Sequence, residues 1–316
     1  MRSRPGQRIP RGDGRIRAVR TVLWLLILAV ALTGCAKPFK TYDSAYQVFE
    51  AFRARYLGRT VAGKSLVTQS SLVYRAGTRQ VRIIIDFWGE YSRPLRMDAW
   101  SSVGGSLAHI LEDDQGLAAY YPDQSKVYTH RDPVTGARLL GLPFPFSLAD
   151  LADVLTGRFD GLVPPRYAEA QAGPGSLYTY RFSEGDVEEL LLDAGGHPVR
   201  LTGRLPELAD SPWPPEENVF VIEFTDYQSD QEVLEDGQGL PPLSKIVTVT
   251  LPGDRHGVLR IKHRQIKVGP WPEGALTLNM PGTVIRQLLD REPRDWTTGA
   301  VITLESPDGE SGGGAQ

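Results

Sequence analysis

The feature that most constrains the fold is an alternation of apolar and polar residues with a period of two. From Val81 to Phe87 every odd position is apolar, and from Leu95 to Ala99 apolar odd positions alternate with charged even positions. Successive side chains of a β-strand point to opposite faces, so this pattern predicts strands with one buried and one solvated face. Similar runs, separated by short Gly- and Asp-containing turns, recur to about residue 268, which is typical of an antiparallel meander.

Helical patterns occur at three places in the chain. Ser44 is an N-cap for an apolar stripe from Ala45 to Tyr56, which Gly58 ends. A second helix is expected from Ser147, with Asp150 three residues later, to a stop at Gly157. The apolar residues within 284–289 predict a short third helix near the C-terminus.

These elements predict a mainly β fold. We expect a single curved antiparallel sheet of about ten or eleven strands, a half-barrel spanning residues 44–290, with a helical lid on its concave face. A Pro-rich acidic insertion near 205–218 leaves open an alternative in which two small domains divide at this break. Residues 305–316, rich in Gly and Ser, are expected to form a disordered tail.

The N-terminal residues indicate a lipoprotein. An arginine-rich start precedes an eleven-residue apolar run, Val22 to Leu32, and the single cysteine of the chain, Cys35, follows Thr33 and Gly34. Such a run is too short for the roughly 30 Å core of a bilayer and reads as a signal peptide. We therefore expect cleavage after residue 34, lipidation of Cys35 and a tether over 35–43. Ala36 favours sorting to the outer membrane, with the protein facing the periplasm.

The charge balance excludes one large class of partners. The chain has 35 basic and 38 acidic residues, and removal of residues 1–34 leaves 28 and 37, a net charge of about −9. Nucleic acids and anionic lipid headgroups call for clustered Lys and Arg, so neither is an expected partner. With Cys35 lipidated, no thiol remains for a disulfide or a thiolate metal site.

The sequence gives little sign of catalysis. The five histidines, at positions 109, 130, 197, 256 and 263, lack zinc-type spacing, and neither a nucleophile elbow nor a Gly-rich phosphate loop occurs. We therefore expect neither an enzyme nor a cofactor nor a metal site.

The order of the elements and three short segments carry a family resemblance. The segments are Gly141–Phe146 leading into the second helix, the Tyr121-Pro122 connection and the turn Ser101–Gly105. With them the chain resembles the LolA/LolB lipoprotein-carrier superfamily, most closely its LolB-like outer-membrane branch. The resemblance implies a hydrophobic groove that receives the acyl chains of lipoproteins or lipids, and a periplasmic carrier protein as a partner. It also implies a membrane-insertion loop at Val103, where LolB-like proteins carry leucine.

The residues expected to line that groove are apolar and face the space between sheet and lid. They are Phe49, Phe52, Ile83, Ile85, Phe87, Met97, Trp100, Leu151 and Leu155. Trp100 breaks the odd-position phase of its strand, so a bulge or a place on the other face fits it equally well. Apolar residues at these periods are more often plain core. A scaffold lipoprotein with a filled core, which binds another envelope protein through its acidic surface, is therefore the alternative hypothesis.

Overall fold

The computed structural model describes residues 44–58, 64–91, 93–205, 218–228, 240–268, 271–279, 284–288 and 296. The predicted signal peptide, the whole tether over 35–43 including Cys35, and the predicted tail lie outside these residues. The helices are α1 (Ala45–Tyr56), α2 (Pro133–Leu139) and α3 (Leu148–Leu155). In the part of the chain that is described, no helix is both long and apolar enough to cross a membrane.

Fourteen strands are present among the described residues. They are β1 (Lys64–Ala76), β2 (Arg79–Glu90), β3 (Leu95–Ser101), β4 (Ser106–Asp113), β5 (Gly116–Tyr121), β6 (Lys126–His130), β7 (Glu169–Ala172), β8 (Leu177–Arg181), β9 (Val187–Asp193), β10 (Pro198–Arg204), β11 (Val219–Gln228), β12 (Leu243–Leu251), β13 (Arg255–Val268) and β14 (Val284–Gln287). They form one curved open sheet in the order β14-β6-β5-β4-β3-β2-β1-β13-β12-β11-β10-β9-β8-β7. The predicted fold class is confirmed, with more strands than the ten or eleven expected.

Nearly all strand pairs are antiparallel neighbours in sequence. The two exceptions are β1, which pairs with β13, and β14, which pairs with β6 in parallel. The short helix predicted within 284–289 is therefore wrong, because residues 284–287 extend the sheet instead. The Pro-rich insertion lies between β10 and β11, which pair directly in the same sheet.

The two faces of the sheet differ as the alternation predicts. Ile83, Ile85 and Phe87 of β2 are buried on the concave face, which we call the inner face, whereas Ile84 and Asp86 lie on the outer face and are partly exposed. The helices cover different parts of the inner face. Helix α1 packs over β7 to β9, and α3 packs over the central strands.

Local signals explain where the helices begin. The Ser44 hydroxyl accepts a hydrogen bond from the Gln47 N–H at 3.3 Å, which caps α1. At α3, the Ser147 hydroxyl accepts from the Asp150 N–H at 3.1 Å while the Asp150 carboxylate accepts from the Ser147 N–H at 3.2 Å, a complete capping box. Helix α3 therefore has a well-defined start.

Candidate functional site

An apolar hollow lies between the inner face of the sheet and the segment that leads into α3. Its walls come from β1, β2, β12 and β13 on one side and from Pro143 to Leu155 on the other. The lining residues are Thr68, Ser70, Leu72, Ile85, Phe87, Pro143, Phe144, Phe146, Leu151, Val154, Leu155, Val247, Val249, Gly257 and Leu259. Apart from two hydroxyl groups, this lining offers only apolar side chains and backbone to a bound molecule.

The hollow is small in this state of the protein. Its volume is about 30 Å³, whereas pockets that bind small molecules usually have about 300–1,000 Å³. We call the segment from Pro143 to Leu155 the lid. An acyl chain enters the hollow only if this lid moves away from the sheet.

Aromatic and aliphatic side chains form the lid's side of the hollow. Phe144 and Phe146 stack with ring centroids 6.0 Å apart, and both are buried. Leu151 and Leu155, four residues apart on α3, face the same hollow. The lid therefore turns nonpolar side chains toward the hollow, and contacts of this kind are not directional.

A buried carboxylate fixes the start of the lid helix. Glu112 of β4 is fully buried on the inner face, and its carboxylate accepts hydrogen bonds from the Leu148 N–H at 2.6 Å and from the Arg93 Nε at 2.8 Å. Burial raises the pKa of Glu112, and the contacts with Arg93 and the Leu148 N–H only partly oppose this. A negative charge at a helix N-terminus is favourable, so Glu112 holds the lid in place.

A second acid is located farther along α3. The Asp153 carboxylate pairs with Arg158 at 2.8 Å. Burial raises the pKa of Asp153 to about 6 despite this pair, with Asp150 and Asp160 adding to the increase. The lid thus carries a carboxyl group whose charge changes just below neutral pH.

Eight of the nine predicted lining residues fall into three groups. Four of them, Ile85, Phe87, Leu151 and Leu155, border the hollow. Ile83 and Met97 are buried on the inner face but are not among its lining residues. Phe49 and Phe52 lie on α1 above the other half of the sheet, where Phe49 contacts Tyr167 and Tyr180 with centroids 4.8 and 5.0 Å away.

Trp100 is not among the residues that line the hollow and lies on the other face, the alternative that its even position in the strand left open. The register between β3 and β4 shifts after Ala99, and Trp100 lies directly across from Ile84 on the outer face. This place follows from the regular alternation of β3, in which the even positions Arg96, Asp98 and Trp100 share the outer face. The bulge is in β4, where the register skips Leu107. Val103, at the tip of the same hairpin, is 93% exposed.

Sequence reasoning missed the part of the lining that β12 and β13 supply. Val247, Val249 and Leu259 come from strands that are distant in sequence from β2. Their alternation with polar residues identifies them as strand residues on a buried face, but the pairing of β1 with β13 is what brings them under the lid. Without that pairing, no local signal links them to the site.

The comparisons with known proteins are distant. No family model and no curated protein matches the chain. Among solved structures, it is similar to an outer membrane lipoprotein-sorting protein domain from Vibrio parahaemolyticus (TM-score 0.44, 10% identity, 73% of this chain and 94% of that one) and to a LolA superfamily protein from Nitrosomonas europaea (0.45, 12%, 75% and 99%). It is also similar to a DUF1329 family protein from Desulfovibrio piger, with a TM-score of 0.42 and 10% identity over 75% of this chain and 100% of that one.

Two of these three names agree with the LolA/LolB resemblance drawn from the sequence. At TM-scores below 0.5, however, the likenesses carry no argument about function. Any inference about function therefore rests on the site itself.

Proposed function

We propose that this protein is a lipid-anchored envelope protein that binds the acyl chains of lipoproteins or lipids beneath its lid. The observation that carries the proposal is the almost wholly apolar hollow between lid and sheet. Burial of apolar surface contributes about 25 cal/mol per Å², so burial of a hydrocarbon chain there contributes several kcal/mol, which the exposure of the displaced lid side chains offsets.

A transfer protein needs an exchange that is close to balanced. Displacement of Leu151, Leu155 and Phe144 exposes apolar surface, and entry of an acyl chain covers the same strands again. The two terms have the same physical origin and similar size, so the bound chain is released as readily as it is taken up. A lid held by a few polar contacts suits this exchange.

A buried hydroxyl in the hollow supports an acyl ligand over a pure hydrocarbon. Thr68 lines the hollow and is buried, and its Oγ1 has no hydrogen-bond partner among the described residues. An unpaired buried hydroxyl costs about 1–3 kcal/mol. The carbonyl oxygen of an ester or amide would accept this hydrogen bond, so we expect the carbonyl end of the acyl group to lie near Thr68.

The remaining parts of the proposal come from the sequence. Lipidation of Cys35 would hold the protein at the outer membrane, the exposed Val103 would touch the bilayer during delivery, and a periplasmic carrier protein would supply cargo. Each of these steps needs its own test, and the binding of an acyl chain is the first.

Uptake of a fluorescent fatty acid by a chain that starts at Ala36 tests the binding step. We expect roughly one molecule per protein. Gly257 lies at the floor of the hollow, where an added Cβ would meet only Leu72 and Pro143 at 3.4–3.7 Å. Gly257→Leu should therefore fill the hollow and lower uptake at least tenfold.

Thr250→Leu is the matched control, because it adds the same side chain on exposed β12 surface close to Gly257 in register. Thermal unfolding establishes that both variants fold. Absence of uptake by the wild-type chain, or equal uptake by the two variants, would overturn the proposal.

The second candidate is a scaffold lipoprotein that binds another envelope protein through its surface. The small volume of the hollow, about 30 Å³, favours it. Failure of lipid uptake together with capture of a stoichiometric purified envelope protein would select this function instead.

A further inference from the structure

The outer face of the β3–β4 hairpin brings together a serine, a histidine and an aspartate. Asp98 of β3 and His109 of β4 are directly paired in register, and the bulge after Ala99 places Ser106 opposite Trp100. Without the bulge, Ser106 would share the inner face with Ala108 and Ile110. Bulges frequently re-aim a side chain beside a functional site, and here the bulge turns Ser106 toward His109.

The distances match those of a proton-relay arrangement. The Oγ of Ser106 lies 2.8 Å from Nε2 of His109, within hydrogen-bond distance. Nδ1 of His109 lies 2.9 Å from Oδ1 of Asp98, an ion-pair contact that is not aligned as a hydrogen bond. A carboxylate at Nδ1 favours the tautomer that carries its proton there. Nε2 is then the acceptor of the Ser106 hydroxyl proton, as a general base must be.

Neighbouring side chains hold the Asp98 carboxylate and the His109 ring in place. Arg96 donates two hydrogen bonds to the Asp98 carboxylate at 2.9 and 3.0 Å. Although burial alone raises the pKa of Asp98, its contacts with His109 and Arg96 outweigh this and hold that pKa below the usual value. Tyr120 stacks on the His109 ring with centroids 6.0 Å apart, and Trp100 meets the ring edge-on at 5.8 Å. The imidazole therefore cannot rotate freely.

The turn before Ser106 supplies a backbone donor. The N–H groups of Val103 and Gly104 are used within the turn, whereas that of Gly105 has no acceptor among the described residues. Gly105 adopts φ 94°, a conformation that glycine tolerates. An N–H group beside the nucleophile can stabilise a negative oxygen that develops on a substrate carbonyl.

We propose that Ser106, His109 and Asp98 form an acyl-transfer site on the outer face. The Ser106 Oγ attacks the carbonyl carbon of an ester while its proton passes to Nε2 of His109. The proton then goes to the departing alcohol oxygen, and an acyl-serine is left. Water adds to this acyl carbon, gives a proton to Nε2, and the carboxylic acid leaves as Ser106 regains its proton.

The shape of the site sets the class of substrate. Ser106 and His109 are partly exposed on an open strand surface, flanked by Trp100 and Tyr120. An open site with aromatic sides suits small activated esters or thioesters with a short apolar acyl group. This function is separate from the hollow, which lies on the opposite face of the sheet.

Labelling of the full-length lipid-anchored protein with a fluorophosphonate probe tests the proposal. We expect one label per chain, on the peptide that contains Ser106, and a stoichiometric burst of p-nitrophenol from p-nitrophenyl acetate. Ser106→Ala should abolish both, and His109→Gln should slow labelling at least a hundredfold, since general-base assistance contributes about 10²- to 10⁴-fold.

Ser102→Ala is the matched control, because Ser102 is an exposed serine of the same turn and should be dispensable. Unfolding temperatures of the variants establish that the hairpin is intact. A wild-type protein that is not labelled at Ser106 would overturn the proposal, and so would labelling of Ser106 at an unchanged rate in His109→Gln. Both results would leave the hydrogen bonds a purely structural role in the hairpin.

Discussion

Replacement of Glu112 by alanine should loosen the lid more than any change on its surface. In the folded protein the Glu112 carboxylate accepts from the Leu148 N–H, the first backbone donor of α3. Alanine leaves that N–H without an acceptor in a buried position, whereas glutamine retains a carbonyl oxygen of the same reach. The comparison of Glu112→Ala with Glu112→Gln therefore isolates the hydrogen bond to the lid.

The size of the effect follows from the burial of the partners. An unsatisfied buried N–H costs about 1–3 kcal/mol. The larger cost of a stranded buried charge, about 3–5 kcal/mol, does not apply, because the Arg93 side chain is 36% exposed and can be hydrated. Because burial disfavours the charged Glu112 carboxylate, its removal also stabilises the fold slightly and offsets part of the cost of the unsatisfied N–H. We expect Glu112→Ala to lose about 1–2 kcal/mol, or roughly 2–8 °C in Tm for a domain of this size, and Glu112→Gln to lose little.

Thermal unfolding and amide hydrogen exchange measure this prediction. The Leu148 amide should exchange about 5- to 30-fold faster in Glu112→Ala, because local opening of the lid becomes easier by the same free energy. The folded protein binds a proton at Glu112 more readily than the unfolded chain, since its pKa is raised. Wild-type stability should therefore fall relative to Glu112→Gln as the pH rises above the usual carboxyl range. Equal Tm values and equal Leu148 exchange for the two variants would refute the role of Glu112 in holding the lid.

Three further predictions concern single positions. Gly257→Ala should raise the free energy of unfolding by about 0.4–1 kcal/mol, because a methyl group fits the hollow and the unfolded chain loses conformational freedom. A lower free energy of unfolding in urea would show that the hollow has no room for this methyl group. Gly203→Ala should instead destabilise by at least about 1–3 kcal/mol, since the added carbon would overlap the Asp186 carbonyl oxygen and the Phe220 ring, and urea unfolding indistinguishable from wild type would show that this close approach is absent. For Asp153, whose pKa is raised to about 6, the stability of wild type relative to Asp153→Asn should decrease as the pH rises from 4 to 7, and a pH-independent difference in Tm would show that the carboxyl group is not held in a desolvated place.

Elements with a complete local signal were predictable from the sequence. Strand β2 follows the alternation from Val81 to Phe87, and α1 and α3 begin at the predicted caps Ser44 and Ser147. In each case the period and the cap agree with the environment that the element finally occupies. A fold class can be predicted from the sequence where the local pattern of each element agrees with its place in the folded protein.

Elements whose state is decided by distant partners were not predictable in this way. The apolar residues within 284–289 have a helical spacing, but parallel pairing of residues 284–287 with β6 makes those four residues a strand. Helix α2 was missed although Asp132 and Pro133 form an N-terminal signal, because only seven residues follow.

The same limit explains why the Ser106 cluster escaped the sequence analysis. Asp98, Ser106 and His109 lie within twelve positions of one another, yet no established motif joins them. Their contact depends on the register of β3 with β4 and on the bulge between them. A histidine that looked isolated in the sequence is thus one member of a polar network.

The pairing of β1 with β13 has a consequence for how the chain acquires its structure. Ala76 pairs with Arg255 and Leu66 with Ile266, so the middle of the sheet is closed by strands from opposite ends of the molecule. Contacts so far apart in sequence form slowly, because a long loop must be ordered before they form. If the chain crosses the inner membrane from its N-terminus, β1 emerges early and has one unpaired edge until β13 arrives. In that case the central sheet would be completed only when β13 has also emerged, and the free edge of β1 would be open to aggregation until then.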